Sequence, residues 1–234
     1  MSVRTWFVVP AAGASRRMGG GLPKQYLEVA GRTVLEHGLQ VLLAHPDVSG
    51  GAVALSDGDP HWPGLPEALR ARVTAVIGGR ERCHSVLAGL SALGQADEED
   101  WVLVHDAARP CLAAADLDRL LEACREDAVG GLLAVPVTDT LKRADASHRC
   151  LETVARDGLW HAQTPQMFRY GLLTRAIESA LAAGELPGDE ATAVERLGLQ
   201  PLLVAGSPFN IKITHAADVA FAAAVLASRG EAAG

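Results

Sequence analysis

The sequence predicts an α/β domain built on a mainly parallel sheet flanked by helices. Three observations lead there. Short apolar runs alternate along the chain with longer amphipathic segments. At 234 residues and 49% hydrophobic composition, the chain can bury one sizeable core. It shows no 20–50-residue repeat and no low-complexity linker, so one domain over residues 1–234 is expected.

Trp6-Phe-Val-Val9 marks the first strand, 5–9, and an amphipathic helix follows at 33–45. Strands at 51–55 and 73–77 precede a helix at 82–94. The apolar run at 101–105 gives a strand, and 114–126 a helix with Asp116 as its first-turn acid. Gly130 is a candidate stop for that helix, before a strand at 131–135. Helices follow at 170–184 and 188–198, the second stopped by Gly198, then a strand at 201–205. A helix at 215–228, opened by Asp218, ends the series.

Residues 137–165 break the alternation. They are polar and turn-rich, and Thr138–Arg143 and Cys150–Val154 alternate on either side of Asp145-Ala-Ser-His148. That pattern fits a hairpin projecting from the domain as an arm for a partner subunit; an ordinary surface loop is the alternative.

Composition excludes several classes. A net charge of −7 argues against general nucleic-acid binding. No apolar stretch reaches the roughly 18 residues of a membrane span. The chain passes from Met1 almost directly into a strand without a charged leader, so a cytoplasmic protein is expected. Cys83, Cys111, Cys124 and Cys150 form no CxxC pair and read as free thiols in a reducing compartment. The eight histidines show no metal-ligand spacing.

Four stretches carry candidate chemistry. Residues 8–27, VVPAAGASRRMGGGLPKQYL, follow the first strand. Small residues let backbone N–H groups approach a ligand, and Arg16, Arg17 and Lys24 can neutralise phosphate oxygens. Neither the Walker A pattern nor the dinucleotide GxGxxG fingerprint is present, so the cradle is of another type. In Val102-Leu-Val-His-Asp-Ala-Ala-Arg-Pro110, Asp106 and Arg109 lie beyond the end of a strand, where open α/β sheets bind ligands. There Asp106 can orient a hydroxyl or help organise a metal and Arg109 can meet an anion; a buried Asp–Arg pair is the alternative. Gly78-Gly-Arg-Glu-Arg-Cys-His-Ser85 can receive a base through backbone groups and Ser85, or simply start a helix. Asn210-Ile-Lys-Ile-Thr214 places Lys212 before the last helix, where alone it reads as a solvated lysine at a strand end.

The stretches PAAGxxxRM…PKQY, GGxxRxxSV, VHDAARP, DTLKR, LWHAQTPQ, DE and NIK resemble, in that order, the 2-C-methyl-D-erythritol 4-phosphate cytidylyltransferase family over about residues 5–225. The resemblance implies a single Rossmann-like domain of nucleotidyltransferase type, with a β-arm at about 137–160 exchanged within a homodimer. It implies cytidylyl transfer from CTP to the polyol phosphate, by in-line attack on the α-phosphorus. Arg17 and Lys24 match the cations that stabilise the transition state. Ala11, Ala12, Gly13 and Ser15 match the triphosphate loop, Gly79 and Ser85 the cytosine-reading segment, and Asp106 and Ala107 the ribose and substrate region. Thr140, Arg156 and Thr164 match substrate positions, with Arg156 and Lys212 placing the attacking phosphate. Mg²⁺ is expected, held by CTP phosphates and water rather than by protein ligands. Arg16 matches no role. With the chain ending soon after the last helix, a monofunctional enzyme without a fused cyclase is expected.

Two departures stand out: Arg80 where some relatives carry an acid, and Pro208-Phe209 where polar residues are frequent. Ribitol-5-phosphate cytidylyltransferase shares much of the motif set and is the rival substrate reading. A non-catalytic nucleotide-binding module is the rival from another class; the presence of Arg17, Lys24, Arg156 and Lys212 weighs against it.

Overall fold

The computed structural model describes residues 3–13 and 21–230. The chain runs β1 (Thr5–Pro10), β2 (Glu28–Val29), β3 (Arg32–Thr33), α1 (Val34–Ala44), β4 (Val48–Leu55), α2 (Glu67–Arg70), β5 (Val73–Ile77), α3 (Arg82–Ser91) and β6 (Trp101–Val104). It continues through α4 (Ala114–Arg125), β7 (Gly130–Pro136), β8 (Leu141–Ala144), β9 (Cys150–Val154), β10 (Trp160–Arg169), α5 (Tyr170–Ala182), α6 (Glu190–Glu195), β11 (Leu202–Ala205) and α7 (Ala216–Ser228).

Seven strands form one sheet in the order β11-β7-β10-β6-β1-β4-β5. All pairings are parallel except those of β10, which runs antiparallel between β6 and β7. Side-chain alternation along β1 feeds both faces. Phe7 and Val9 join Leu35, Leu39, Leu103, Leu117 and Leu120 beneath α1 and α4. Val8 joins Val86, Leu90, Phe168, Leu173 and Ile177 beneath α3 and α5. The third cluster, including Val29, Ile213, Ala222 and Leu226, packs α7 against the β2–β3 hairpin.

Local signals explain several element starts. α1 opens with a capping box: Glu36 N–H donates to Thr33 Oγ1 at 3.2 Å, and Thr33 N–H donates to Glu36 Oε2 at 2.6 Å. Asp218 closes a second box on His215 at the start of α7. Gly198 has a φ of 77° just past α6, as a helix stop requires. Gly130 does not stop α4, which ends at Arg125; with a φ of 102° it begins β7.

The sequence pattern predicts no strand over β10, whose residues 160–165 fall in the polar, turn-rich segment 137–165. Gln163, Pro165 and Gln166 interrupt its apolar run, and the pairing with β7 shifts register between Ala162 and Gln166. Both amides are buried, and Gln166 is satisfied: it donates to Asp189 Oδ2 at 2.9 Å and accepts from Ala191 N–H at 2.8 Å, whereas Gln163 Oε1 has no partner. Gln163 donates to the Ser207 carbonyl at 2.8 Å.

The hairpin expected from alternation is present, with β8 paired only to β9. The Asp145 carboxylate accepts from Ser147 and Arg149 N–H, at 2.9 Å each, and shapes its turn. Lys142 donates to Thr153 and Arg143 to Glu152, both at 2.6 Å. The ribbon's residues are almost all exposed. A two-stranded hairpin is marginal by itself in water, so an outside surface is what such a ribbon lacks.

Candidate active site

β1 pairs with β4 on one side and with β6 on the other, so the strand order reverses between β1 and β6. A crevice opens at such a reversal beyond the carboxyl ends of the strands. Here it is a cleft of about 650 Å³. Its walls come from four places: Pro10–Gly13 after β1, Gly79–Ser85 at the β5–α3 turn, Asp106–Ala108 after β6, and Lys212 with Thr214 before α7. Lys24 and Gln25 complete the lining.

Each wall is pinned. Gln25, buried, donates to the Ala11 carbonyl at 2.7 Å, which brings Lys24 alongside the β1 loop. Tyr26 donates to Asp59 Oδ2 at 2.9 Å, and burial raises its phenol well above the ordinary range. Gly78 lets two loops meet, because a Cβ there would lie 2.6 Å from Ala12 Cβ and 2.8 Å from Ser85 Oγ. Ser85 lines the cleft, but its hydroxyl accepts from Gly79 N–H at 3.1 Å and donates back within the same turn. It therefore staples the turn that presents Gly79.

The electrostatic centre is Asp106, only 7% exposed. Arg82 Nε donates to its Oδ1 at 3.0 Å and Lys212 Nζ to its Oδ2 at 2.7 Å. Burial alone would raise this carboxyl; Arg82 and Lys212 override it and hold Asp106 well below the usual carboxylate range. Arg82 in turn grips Glu190 with both terminal nitrogens, at 2.6 and 2.9 Å. Burial pushes Glu190 up from its ordinary value, against the pull of Arg82.

Behind Asp106 stands a second chain of hydrogen bonds. Asp106 N–H donates to Thr164 Oγ1 at 3.0 Å, and Thr164 Oγ1 lies 3.1 Å from His105 Nδ1. His105 Nε2 is 3.0 Å from the Arg109 carbonyl, which only accepts, so Nε2 carries the proton and Nδ1 accepts from Thr164. Burial pushes His105 down to about 4, leaving it neutral at pH 7.

The cleft brings together Ala11, Ala12, Gly13, Lys24, Gly79, Ser85, Asp106, Ala107 and Lys212. Four expected site residues stand elsewhere. Arg109 is not in the lining; its guanidinium donates to the carbonyls of Asn210 at 2.6 Å and Ala162 at 3.4 Å, bracing the segment before Lys212 from behind. Arg109 was expected to meet an anion; here its guanidinium is turned to these two carbonyls rather than into the cleft. Its contact with Asp106, at 3.9 Å, is weaker than that of Arg82. Thr164 is buried and works through Asp106 and His105 rather than at the wall. Thr140 and Arg156 flank the arm, and Arg156 donates to the Thr138 carbonyl. Neither lines the cleft of its own chain. Ser15, Arg16 and Arg17 lie outside the described residues.

Arg82 and Glu190 lie within the motifs GGxxRxxSV and DE, where no role is legible from sequence. Arg82 lines the cleft, and Glu190, in the first turn of α6, bonds Arg82 from behind the wall. The signal was thin: an arginine at a helix start and an acid at another helix start both look like surface residues.

An open sheet with a small-residue loop, a glycine turn and two lysines gathered at its switch point has the form of a nucleotidyltransferase. The family model described as 2-C-methyl-D-erythritol 4-phosphate cytidylyltransferase matches residues 5–228. A protein of that name from Ectopseudomonas mendocina (strain ymp) is 55% identical over 223 residues, covering 94% of this chain and 95% of its own length. The crystal structure of a 4-diphosphocytidyl-2C-methyl-D-erythritol synthase superposes with a TM-score of 0.84 at 40% identity, covering 96% of this chain and all (100%) of that one. The Francisella tularensis cytidylyltransferase gives a TM-score of 0.80 at 32% identity, with 95% and 100% coverage. The chain belongs to the 2-C-methyl-D-erythritol 4-phosphate cytidylyltransferase family.

Proposed function

We propose that this protein transfers the cytidylyl group of CTP to 2-C-methyl-D-erythritol 4-phosphate and releases pyrophosphate. The observation that carries the reading is one cleft lined by the β1 loop, Lys24, the Gly79 turn and the Asp106–Lys212 pair. A phosphate oxygen of the polyol attacks the α-phosphorus in line; the new P–O bond forms as the bond to the β-phosphate oxygen breaks. No proton need move to the nucleophile, so the protein's task is alignment and charge stabilisation.

The backbone at Ala11, Ala12 and Gly13 receives the triphosphate, and Lys24 meets charge growing toward the leaving pyrophosphate, together with Arg17. The Gly79 turn, stapled by Ser85, offers main-chain groups to the cytosine. Asp106 holds Lys212 at 2.7 Å, and the ammonium, half-exposed, retains donors for the attacking phosphate.

Among the described residues no group of three or more His, Cys, Asp or Glu is placed to hold a metal ion, and Asp106 is committed to Arg82 and Lys212. That donor set fits a Mg²⁺ held by phosphate oxygens and water, with no protein cage. The ion would neutralise triphosphate charge.

The exposed arm supports a homodimer in which Thr140 and Arg156 reach the partner's cleft. A cytoplasmic setting fits four cysteines that form no disulfide; among the described residues no helix is long and apolar enough to cross a membrane. The test is pyrophosphate release from CTP with each of two acceptors, methylerythritol 4-phosphate and ribitol 5-phosphate. Turnover with the first is expected; turnover with ribitol phosphate alone would refute the assignment.

A further inference from the structure

Four charged side chains at the cleft and behind it are arranged in series. Glu190 accepts from NH1 and NH2 of Arg82, Arg82 Nε donates to Asp106 Oδ1, and Lys212 donates to Asp106 Oδ2. The four formal charges cancel, so no carboxylate or cation in the series is buried without an opposite charge beside it, although each still gives up hydration. Glu190 is 1% exposed. Its backbone is fixed as firmly as its side chain: Asp189 caps α6 by accepting from Thr192 N–H at 2.9 Å, and Gln166 on β10 bonds both Asp189 and Ala191 N–H. A planar fork held at both terminal nitrogens by a carboxylate has one orientation left for Nε. Arg82 is consequently spent on protein carboxylates. It is a strut between α6 and Asp106, and the mobile charge at the end of the series is Lys212.

We propose that Glu190 is a positioning residue of the transfer site: through Arg82 it fixes the carboxylate of Asp106, and through that carboxylate the ammonium of Lys212. This rests on the proposed role of Lys212 at the attacking phosphate. Without the second charged oxygen of Glu190, a terminal nitrogen of Arg82 is released. The guanidinium fork then turns onto both oxygens of Asp106 and competes with Lys212 for Oδ2.

The test compares Glu190→Gln with wild type in steady-state assays, varying each substrate in turn. Wild-type turnover with methylerythritol 4-phosphate tests the functional reading separately; the inference is read from variant-to-wild-type ratios. The expected result is a loss of about tenfold or more in kcat/KM for the polyol phosphate, with KM for CTP changed less than about threefold. In a Lys212→Gln background the same substitution should add little, because its effect runs through Lys212. Equal losses toward both substrates, or full additivity with Lys212→Gln, would overturn the proposal. Should Glu190→Gln fold poorly, Arg82→Gln combined with Glu190→Gln removes the pair while leaving charge balanced. A positioning role predicts that this double variant stays impaired toward the polyol phosphate; recovery to wild-type kcat/KM would reduce Glu190 to a counter-charge and overturn the proposal.

Discussion

Protonating His105 should destabilise the protein from behind its active site. The ring is 1% exposed and already fully engaged: Nε2 donates to the Arg109 carbonyl and Nδ1 accepts from Thr164. Imidazolium at this position would put a second donor against the Thr164 hydroxyl and a charge in the core. Its folded value is pushed down to about 4 from the ordinary 6.5. A base depressed by folding contributes stability that is fully present above its unfolded pKa and is lost as pH falls toward the folded one. Between neutrality and pH 5 this amounts to about 2 kcal/mol, rising to about 3 kcal/mol at pH 4. Glu190, raised by burial, works in the opposite direction: its contribution is largest below its ordinary 4.5 and wanes as pH rises. Asp106, held low, gives up its contribution only below the usual carboxylate range. Urea unfolding of wild type and His105→Gln at pH 7.5, 6, 5 and 4, at fixed protein concentration, isolates the His105 share. Wild type should lose more stability than the variant across this window by those amounts. Parallel pH profiles for the two proteins would refute the buried neutral imidazole.

Three further outcomes follow from the site. Lys24→Ala should lower kcat by about two to three orders of magnitude with an unchanged circular dichroism spectrum; near-normal turnover would remove Lys24 from the charge-stabilising role. Thr164→Val keeps the shape of the side chain but deprives Asp106 N–H and His105 Nδ1 of their partner. It should cost about 2 kcal/mol in denaturant unfolding and slow turnover, and an unaltered midpoint would contradict that bridge. Mixing Arg156→Ala and Lys212→Ala chains after co-expression should restore about a quarter of wild-type activity, because half the dimers would hold one complete cleft of two. No recovery would argue that Arg156 serves its own chain.

The sheet and its covering helices were largely legible because burial on a given face imposes a period. The central strands, packed on both faces, read instead as continuous apolar runs at Trp6-Phe-Val-Val9 and Trp101–Val104, and α1, α3, α4, α5 and α7 begin within a residue of where their patterns place them. β10 was not legible. Its buried amides look like loop residues until Ser207, Asp189 and Ala191 arrive from elsewhere in the chain to bond them. The site divides in the same way. Ala11, Gly13, Lys24, Gly79, Asp106 and Lys212 could be singled out from motifs, and they share the cleft. Arg109 looked like the partner of Asp106 because it is three residues away, yet the closer cation is Arg82, across the cleft.

By itself, then, the sequence determined the α/β pattern, the projecting hairpin and the set of phosphate-binding residue types, since each follows from local period, turn chemistry or a short motif. Only the tertiary structure decided how those residues are paired. Lys212 meets Asp106 over 106 residues, and Glu190 meets Arg82 over 108. No local period encodes such contacts. They exist because strand order brings β1 and β6 together, α6 docks beside them, and buried charges persist only where opposite charges and donors meet them.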